Sequence, residues 1–113
     1  MNPTSWGHYP HITPDAIRAI DWIPERLPPG KILAHGYGRS YGDVGLIEHG
    51  TALLTHGLNR AIRFDAEQGL FACEAGMSLH DILHIIMPRG WFLPVTPGTQ
   101  FVSVGGAIAN DIH

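Results

Sequence analysis

Apolar positions at helical spacing predict two helices in the second half of the chain. The segment Leu79–Ile86 repeats apolar residues every three or four positions, and Ser78 stands before it as an N-cap. A proline and a glycine follow and end this helix. A second, shorter helix is predicted from its N-cap Ser103 through Ala109.

A third helix is predicted near the start of the chain. Thr13 is a suitable N-cap, Pro14 suits the first helical position, and an acid follows in the first turn. Ile17 and Ile20 then lie on one helical face, and Pro24 ends the element.

Short apolar runs between glycines and prolines predict strands. The runs are Lys31–Ala34, Thr51–Thr55, Ala61–Asp65, Leu70–Ala75 and Trp91–Leu93. The third and fourth are separated by four residues with Gly69 at the tight position, so we expect an antiparallel hairpin. The resulting order of strands, loops and helices is that of an α+β unit with a small mixed sheet, and not of regular βαβ alternation.

Composition narrows the class of protein. The chain has 113 residues, is 44% hydrophobic and 15% charged, and carries a net charge of −3, so we expect one small folded domain and no nucleic-acid partner. No apolar run approaches the roughly 20 residues of a membrane span, and no secretory signal is evident, so we expect a cytoplasmic protein without a transmembrane segment. The single cysteine, Cys73, excludes an internal disulfide and fits strand packing better than nucleophilic chemistry.

The first segment with candidate chemistry follows directly on a predicted strand. It contains, in order, His35, Gly36, Tyr37, Gly38, Arg39, Ser40, Tyr41, Gly42 and Asp43. Glycines permit positive φ and close backbone approach, so successive N–H groups can form a nest for a pyrophosphate. A dinucleotide Rossmann site would need an apolar helix to open on this loop, and the following residues are too short and glycine-rich for one. An ordinary glycine-rich turn is the alternative interpretation.

A second candidate segment runs from Val95 to Asn110. A Pro-Gly turn leads into a helix start that carries a serine cap and two glycines, Gly105 and Gly106. A hydroxyl and two positions without side chains at a helix N-terminus suit an anion or the edge of a ring. Close helix packing alone would also explain the two glycines.

The two segments together resemble the PCMH-type FAD-binding domain of the vanillyl-alcohol-oxidase superfamily. The strings that carry the resemblance are Ala34–Asp43, Pro97–Thr99 and Ser103–His113, with Glu74–Leu79 similar to the strand end that precedes the family's helix. The first and third strings are most like those of decaprenylphosphoryl-ribose oxidases and the related sugar-lactone and alditol oxidases. The similarity extends from about Trp6 to the last residue.

The resemblance implies FAD as the cofactor and assigns roles along the two segments. Residues His35 through Asp43 would surround the pyrophosphate, Gly98 and Thr99 would lie along the flavin or ribityl chain, Ser103, Val104, Gly105 and Gly106 would bind phosphate oxygens, and Asn110, Asp111 and His113 would stand near the isoalloxazine ring. Several relatives attach FAD covalently through a histidine where this chain has Arg39, so we expect non-covalent FAD. Asn110 stands where the ribose oxidases commonly have cysteine.

The resemblance also implies a division of the chain and of the reaction. We expect an arm at 1–13 and, at 14–113, the first PCMH-type subdomain, truncated at its C-terminal end. The parent enzyme would transfer hydride from a sugar or other secondary alcohol to flavin N5. Its substrate pocket and catalytic base would lie beyond His113, so no catalytic residue is assigned. The alternative is a non-catalytic nucleotide- or phosphate-binding module that uses the same two loops.

Several remaining residues fit structural roles. His80 and His84 are spaced like two zinc ligands, but they lack a third ligand, so we expect a solvated helix face and no metal site. Trp6, Trp22 and Trp91 fit core packing better than flavin stacking. The remaining unassigned histidines are expected at the surface: His8, His11, His49 and His56.

Overall fold

The computed structural model describes residues 2–113 and contains five strands, two α-helices and one 3₁₀ turn. The elements are β1 (Ala16–Ala19), β2 (Ile32–His35), β3 (Thr51–Leu54), β4 (Ala61–Asp65), β5 (Leu70–Cys73), α1 (Leu79–Ile86), the 3₁₀ turn (Met87–Arg89) and α2 (Val104–Ala109). The α+β class predicted from the sequence is confirmed. The five strands divide between a three-stranded sheet and a two-stranded hairpin.

The three-stranded sheet is parallel and has the order β1-β3-β2. Thr51, the first residue of β3, is in register with Ala16 of β1 and with Ile32 of β2. Because β3 is central, its middle residues Ala52 and Leu53 are buried. The loop that carries the first glycine cluster therefore leaves the carboxyl end of β2, next to the central strand.

The predicted N-terminal helix is wrong, because Ala16–Ala19 is the edge strand β1. The N–H groups of Asp15 and Ala16 bond to the carbonyl of Gly50 at 2.9 and 3.2 Å, and the N–H of Ile20 bonds to Leu54 O. An isolated helix confined to about ten residues between two prolines is marginal in water. Pairing with β3 instead provides hydrogen-bond partners for this segment.

The hairpin and the two helices form the second half of the chain. Gly69 has φ +71° in the turn between β4 and β5, as the hairpin prediction requires. Both predicted caps are present, since Ser78 Oγ accepts from Asp81 N at 3.1 Å and Ser103 Oγ accepts from Gly106 N at 3.0 Å. The core cluster consists of Met77, Leu79, Ile82 and Ile86, with hairpin side chains packed against it.

The predicted strand Trp91–Leu93 is also wrong, because these residues pair with no strand. Gly90 has φ +84° and turns the chain, after which Trp91 N donates to Ile86 O. The indole Nε1 donates to Ala66 O at 2.8 Å, and the ring covers Gly69. The segment is therefore tied to the hairpin turn by a side chain instead of by a ladder of backbone hydrogen bonds.

The two halves of the chain meet at a tight junction beside Gly76. A Cβ at Gly76 would overlap Thr55 O. Nearby, the Arg60 guanidinium donates to Glu74 Oε1 at 2.9 Å and stacks over the Trp22 ring at 4.1 Å. These contacts hold the hairpin against the segment that follows β1.

The expectation that the three tryptophans belong to the core is wrong. Trp6, Trp22 and Trp91 are 49%, 68% and 36% exposed.

No helix within residues 2–113 is both long enough and apolar enough to cross a membrane.

Candidate functional site

The first glycine segment begins at a buried histidine. His35 ends β2, is only 8% exposed, and shares a hydrogen bond of 2.8 Å between its Nδ1 and Gly45 O. The ring thus joins the start of the loop to its far end, and its Nε2 lies 3.3 Å from where a Cβ of Gly38 would stand. The His35 ring therefore packs under Gly38 and stabilises the conformation of the loop.

The loop of residues 36–43, here called the glycine loop, leaves its backbone donors unpaired. Within the described part of the chain, none of its N–H groups donates a hydrogen bond to a protein acceptor. Gly36, Tyr37, Gly38 and Ser40 are half-buried, and Gly38 and Gly42 have φ values of +69° and +59°. Unpaired, partly buried N–H groups at positive-φ turns are the defining feature of an anion nest.

The loop that precedes α2, here called the second loop, approaches the glycine loop at two points. A Cβ at Gly36 would lie 2.9 Å from Ser103 Oγ, so only glycine lets the hydroxyl come this close. Arg39 Nε donates to Phe101 O at 3.1 Å. The structure thus brings together two sequence-predicted segments that are about sixty residues apart.

The start of α2 has fewer free donors than its two glycines suggest. Val104 N donates to Met77 O, Gly105 N to Ala75 O, and Gly106 N to the Ser103 hydroxyl. A Cβ at Gly105 would come within 3.2 Å of Ala75, so close packing accounts for this glycine. The role of residues 103–106 at phosphate oxygens stays a prediction, and the hydroxyl is the group best able to fill it. Ser103 Oγ accepts one hydrogen bond and, among residues 2–113, donates none, which leaves its O–H for a ligand.

Gly98 and Thr99 line a cleft of about 440 Å³. Leu79, Leu83 and Phe92 form its apolar side. The Thr99 hydroxyl accepts from Phe101 N at 3.2 Å, which shapes the turn. An apolar wall facing polar loop backbone is a suitable surface for the edge of an aromatic ring system.

The last residues of the predicted site lie past the end of α2. Asn110 Nδ2 donates to Gly106 O at 2.7 Å and so caps the helix, and Asp111 adopts φ +49°. His113 Nδ1 lies 3.0 Å from Asp111 O. All three residues are exposed, and their proximity to a flavin ring stays a prediction.

The histidine pair on α1 is only partly the solvated face that was expected. His84 is exposed, whereas His80 is half-buried with its ring 4.9 Å from that of Phe101. Nδ1 of His80 is buried and has no hydrogen-bond partner among residues 2–113. Among residues 2–113 no three His, Cys, Asp or Glu side chains are grouped to hold a metal ion.

Cys73 occupies the core side of the hairpin, as expected from its strand. It packs against the core cluster and lines an apolar cleft of about 530 Å³ between β5, α1 and α2. Burial, together with the neighbouring Glu74 carboxylate, raises the pKa of the Cys73 thiol above its ordinary value of 9.0. The thiol is therefore a weak nucleophile, which agrees with the structural role predicted for it.

Sequence reasoning missed the contribution of the N-terminal arm. Trp6 N donates to Ser40 O at 3.0 Å, and Thr4 O occupies the space where a Cβ of Gly38 would stand. The sequence predicts an arm at 1–13 apart from the subdomain, and residue 1 of this arm lies outside the described residues. The only signal in the sequence was that the family resemblance already began near Trp6.

Comparison with known proteins agrees with this geometry. The family model described as "FAD binding domain" matches residues 9–113. The chain belongs to this family. It is also 42% identical over 97 residues to a decaprenylphosphoryl-beta-D-ribose oxidase of Mycolicibacterium smegmatis, an alignment that covers 86% of this chain and 21% of that protein.

A further relative is similar over a shorter stretch. An uncharacterized protein in the mprA 5' region of Streptomyces coelicolor is 46% identical over 37 residues, which is 33% of this chain and 10% of that protein. The chain thus spans about a fifth or less of the length of the curated relatives it matches. The resemblance noted from the motifs is confirmed, and FAD is the cofactor to which the family points.

The residues present fit the phosphate portion of FAD. A pyrophosphate needs several donors that converge without intervening side chains. The glycine loop supplies unpaired N–H groups, and the Ser103 hydroxyl beside Gly36 supplies a further donor. Gly36 and Gly38 are the positions at which a side chain would obstruct neighbouring groups.

Proposed function

We propose that this chain is the FAD-binding part of a flavin-dependent oxidoreductase, and that the whole protein oxidises a CH–OH group of a sugar or a related secondary alcohol. Membership of the FAD-binding-domain family supports the first part. The second part is supported by 42% identity to a relative whose name describes a ribose oxidase. The whole protein's substrate is inferred from that relative alone.

One observation supports cofactor binding most directly: the consecutive N–H groups of residues 36–43 have no acceptor within residues 2–113. Leaving half-buried N–H groups unpaired costs roughly 1–3 kcal/mol for each group that water cannot reach. A ligand with several phosphate oxygens removes that cost, because charge-assisted hydrogen bonds to an anion are stronger than neutral ones.

This chain's own residues would bind and orient the cofactor. The glycine loop would hold the pyrophosphate, with His35 fixing the two ends of the loop through Gly45 O. Ser103 would donate its hydroxyl hydrogen next to Gly36. The cleft beside Gly98 and Thr99 would receive the ring or ribityl end. Bound FAD would supply a hydride acceptor at N5, which amino-acid side chains lack.

We also propose that FAD is held without a covalent bond. Arg39 occupies the position at which several relatives carry the attaching histidine, and a guanidinium is no nucleophile at neutral pH. His35 is the nearest histidine in sequence, but it is 8% exposed and its Nδ1 is committed to Gly45 O.

A matched pair of glycine substitutions tests cofactor binding. Gly42 and Gly30 both have positive φ, +59° and +85°, and a Cβ at either position would meet no atom within 4 Å. Alanine at either site costs about 1 kcal/mol of stability, since the backbone strain is similar. We expect Gly42→Ala to weaken FAD binding at least roughly tenfold, whereas Gly30→Ala leaves it unchanged. Equal affinities in the two variants, measured by calorimetric titration, would contradict the assignment of the glycine loop.

A second experiment separates an oxidoreductase from a non-catalytic nucleotide-binding module. The whole gene product is loaded with FAD, freed of oxygen, and mixed with ribose phosphates and other sugars that carry secondary alcohols. Bleaching of the flavin absorption by a sugar is expected for the enzyme. Tight FAD binding without bleaching by any sugar would favour the binding module.

A further inference from the structure

The segment Thr4–Trp6 lies against the glycine loop although it precedes the residues matched by the family model, which begin at 9. Trp6 N donates to Ser40 O at 3.0 Å, and Thr4 O stands against Gly38. Between them, Ser5 is only 4% exposed and its hydroxyl donates to Tyr9 O at 3.1 Å. The backbone of the segment thus fixes it on the loop. The buried Ser5 hydroxyl bonds within the N-terminal stretch itself.

Arg39 links the same segment to the second loop. Its guanidinium carbon lies 5.5 Å from the centre of the Trp6 ring, within the range of a cation–π contact. Its Nε donates to Phe101 O at 3.1 Å. One side chain of the glycine loop therefore contacts the N-terminal segment and the second loop at once.

We propose that Thr4–Trp6 and Arg39 form a strap that positions the glycine loop for its phosphate ligand. Arg39 then acts as a positioning residue through its contacts with the Trp6 ring and with Phe101 O, and not by pairing with the charge of the ligand. That the positioned ligand is FAD rests on the function proposed above. The strap itself is a property of the free chain.

The contacts around the loop explain why a strap is needed. Among residues 2–113 no acceptor bonds to the N–H groups of residues 36–43, so the loop has little backbone support of its own. The contacts that hold it include the His35 ring, the Arg39 bond to Phe101 O, and the contacts with Thr4 and Trp6. Trp6 is 49% exposed, so removing its ring costs little core packing and acts mainly on the loop.

Limited trypsin digestion tests the strap without any cofactor, because trypsin cleaves after Arg39 only when that side chain and the neighbouring backbone come free. When the loop opens and closes faster than trypsin cleaves, the cleavage rate follows the population of the open form. We expect Trp6→Ala to raise the initial cleavage rate after Arg39 by about tenfold, and Trp6→Phe, which keeps a ring, to raise it much less. Cleavage after Arg63, within β4, reports on unfolding of the hairpin and should not change.

Trp22→Ala is the matched control, because Trp22 makes the same type of contact with Arg60, at 4.1 Å, away from the glycine loop. It should leave cleavage after Arg39 unchanged. The strap is overturned if Trp6→Ala leaves that rate within about twofold of wild type, or if the rate after Arg63 rises equally, which would indicate general destabilisation.

FAD titration of the whole gene product then tests what Arg39 contributes. A strap predicts that Arg39→Lys loses affinity about as much as Arg39→Ala, roughly tenfold, since lysine keeps the charge but lacks the Nε donor that bonds to Phe101 O. Wild-type affinity in Arg39→Lys would show that charge alone matters and would overturn the positioning role. If the whole gene product binds no FAD, the proposed function fails, while the trypsin result still decides whether the strap exists.

Discussion

Replacing Ser103 with alanine should separate the cofactor role of the second loop from its structural role. Ser103 Oγ accepts from Gly106 N as the N-cap of α2 and lies beside Gly36. Alanine removes both the cap and the hydroxyl that we expect to donate to a phosphate oxygen. Two measurable losses should follow, one in stability and one in FAD affinity.

The magnitudes of the two losses follow from the structure. Loss of an N-cap costs about 1 kcal/mol, and the 6% exposure of Ser103 keeps water from replacing the hydroxyl fully. For a chain of 113 residues, 1 kcal/mol lowers the melting temperature by about 4 °C. A hydrogen bond to a charged oxygen contributes roughly 1.5–3 kcal/mol, so FAD affinity should fall by between about tenfold and a hundredfold.

Ser78→Ala is the control for this prediction. Ser78 is the N-cap of α1, is 4% exposed, and has the same φ of −80° and ψ of 154° as Ser103. Its hydroxyl accepts from Asp81 N and, unlike that of Ser103, is not among the atoms nearest to Gly36, Gly38 or Gly42. The melting temperature without ligand should therefore fall similarly in both variants. The affinity for FAD, measured by titration, should weaken in Ser103→Ala alone. Equal loss of affinity in the two variants would refute a phosphate contact from Ser103.

Three further predictions concern the cofactor bond, the cysteine and the junction of the two halves. FAD should leave the protein on acid precipitation, because Arg39 cannot attach it, and flavin fluorescence in the pellet would contradict this. Cys73 should be alkylated more slowly in the folded chain than in urea, and equal alkylation rates would contradict its burial. Because its raised pKa favours the protonated thiol in the folded state, the contribution of Cys73 to stability should fall as pH rises above 9.0. Gly76→Ala should destabilise the chain by about 2 kcal/mol or more, because its Cβ would overlap backbone carbonyls, and a wild-type melting temperature would disprove the tight junction.

The helices of the second half could be predicted because their signals are local. A capping serine, a helical repeat of apolar residues and a terminating glycine all lie within about a dozen positions, as in Ser78–Gly90. The hairpin was predictable for the same reason, since Gly69 marks a turn between neighbouring strands. These elements depend little on distant parts of the chain.

The first strand could not be predicted in this way. Local signals at Thr13 and Pro14 favour a helix start, whereas the partners that make Ala16–Ala19 a strand lie at Gly50–Leu54. Trp91–Leu93 is a similar case, because the acceptor for the indole of Trp91 is Ala66 O, on the hairpin turn. In both places a contact far along the sequence overrides a local preference.

The candidate site likewise has a part that local sequence predicts and a part that depends on residues far apart in the chain. The glycine loop was predictable because its chemistry resides in a contiguous run of small residues. The meeting of Gly36 with Ser103 was implied only by the family resemblance, and the position of Thr4 over Gly38 was not implied at all. The N–H groups at the start of α2 looked available from the sequence, but carbonyls of residues 75 and 77 already bond to two of them.

The central position of β3 determines when the site can form during folding. Both of its neighbours precede it in the chain, so neither β1 nor β2 has a partner until residues 51–54 are in place. The hairpin and α1 rely on nearer partners and are expected to form sooner. The glycine loop connects β2 to β3, so its two ends come together only when this parallel pair closes. The loop can therefore take the shape that receives a cofactor only once β2 and β3 have paired.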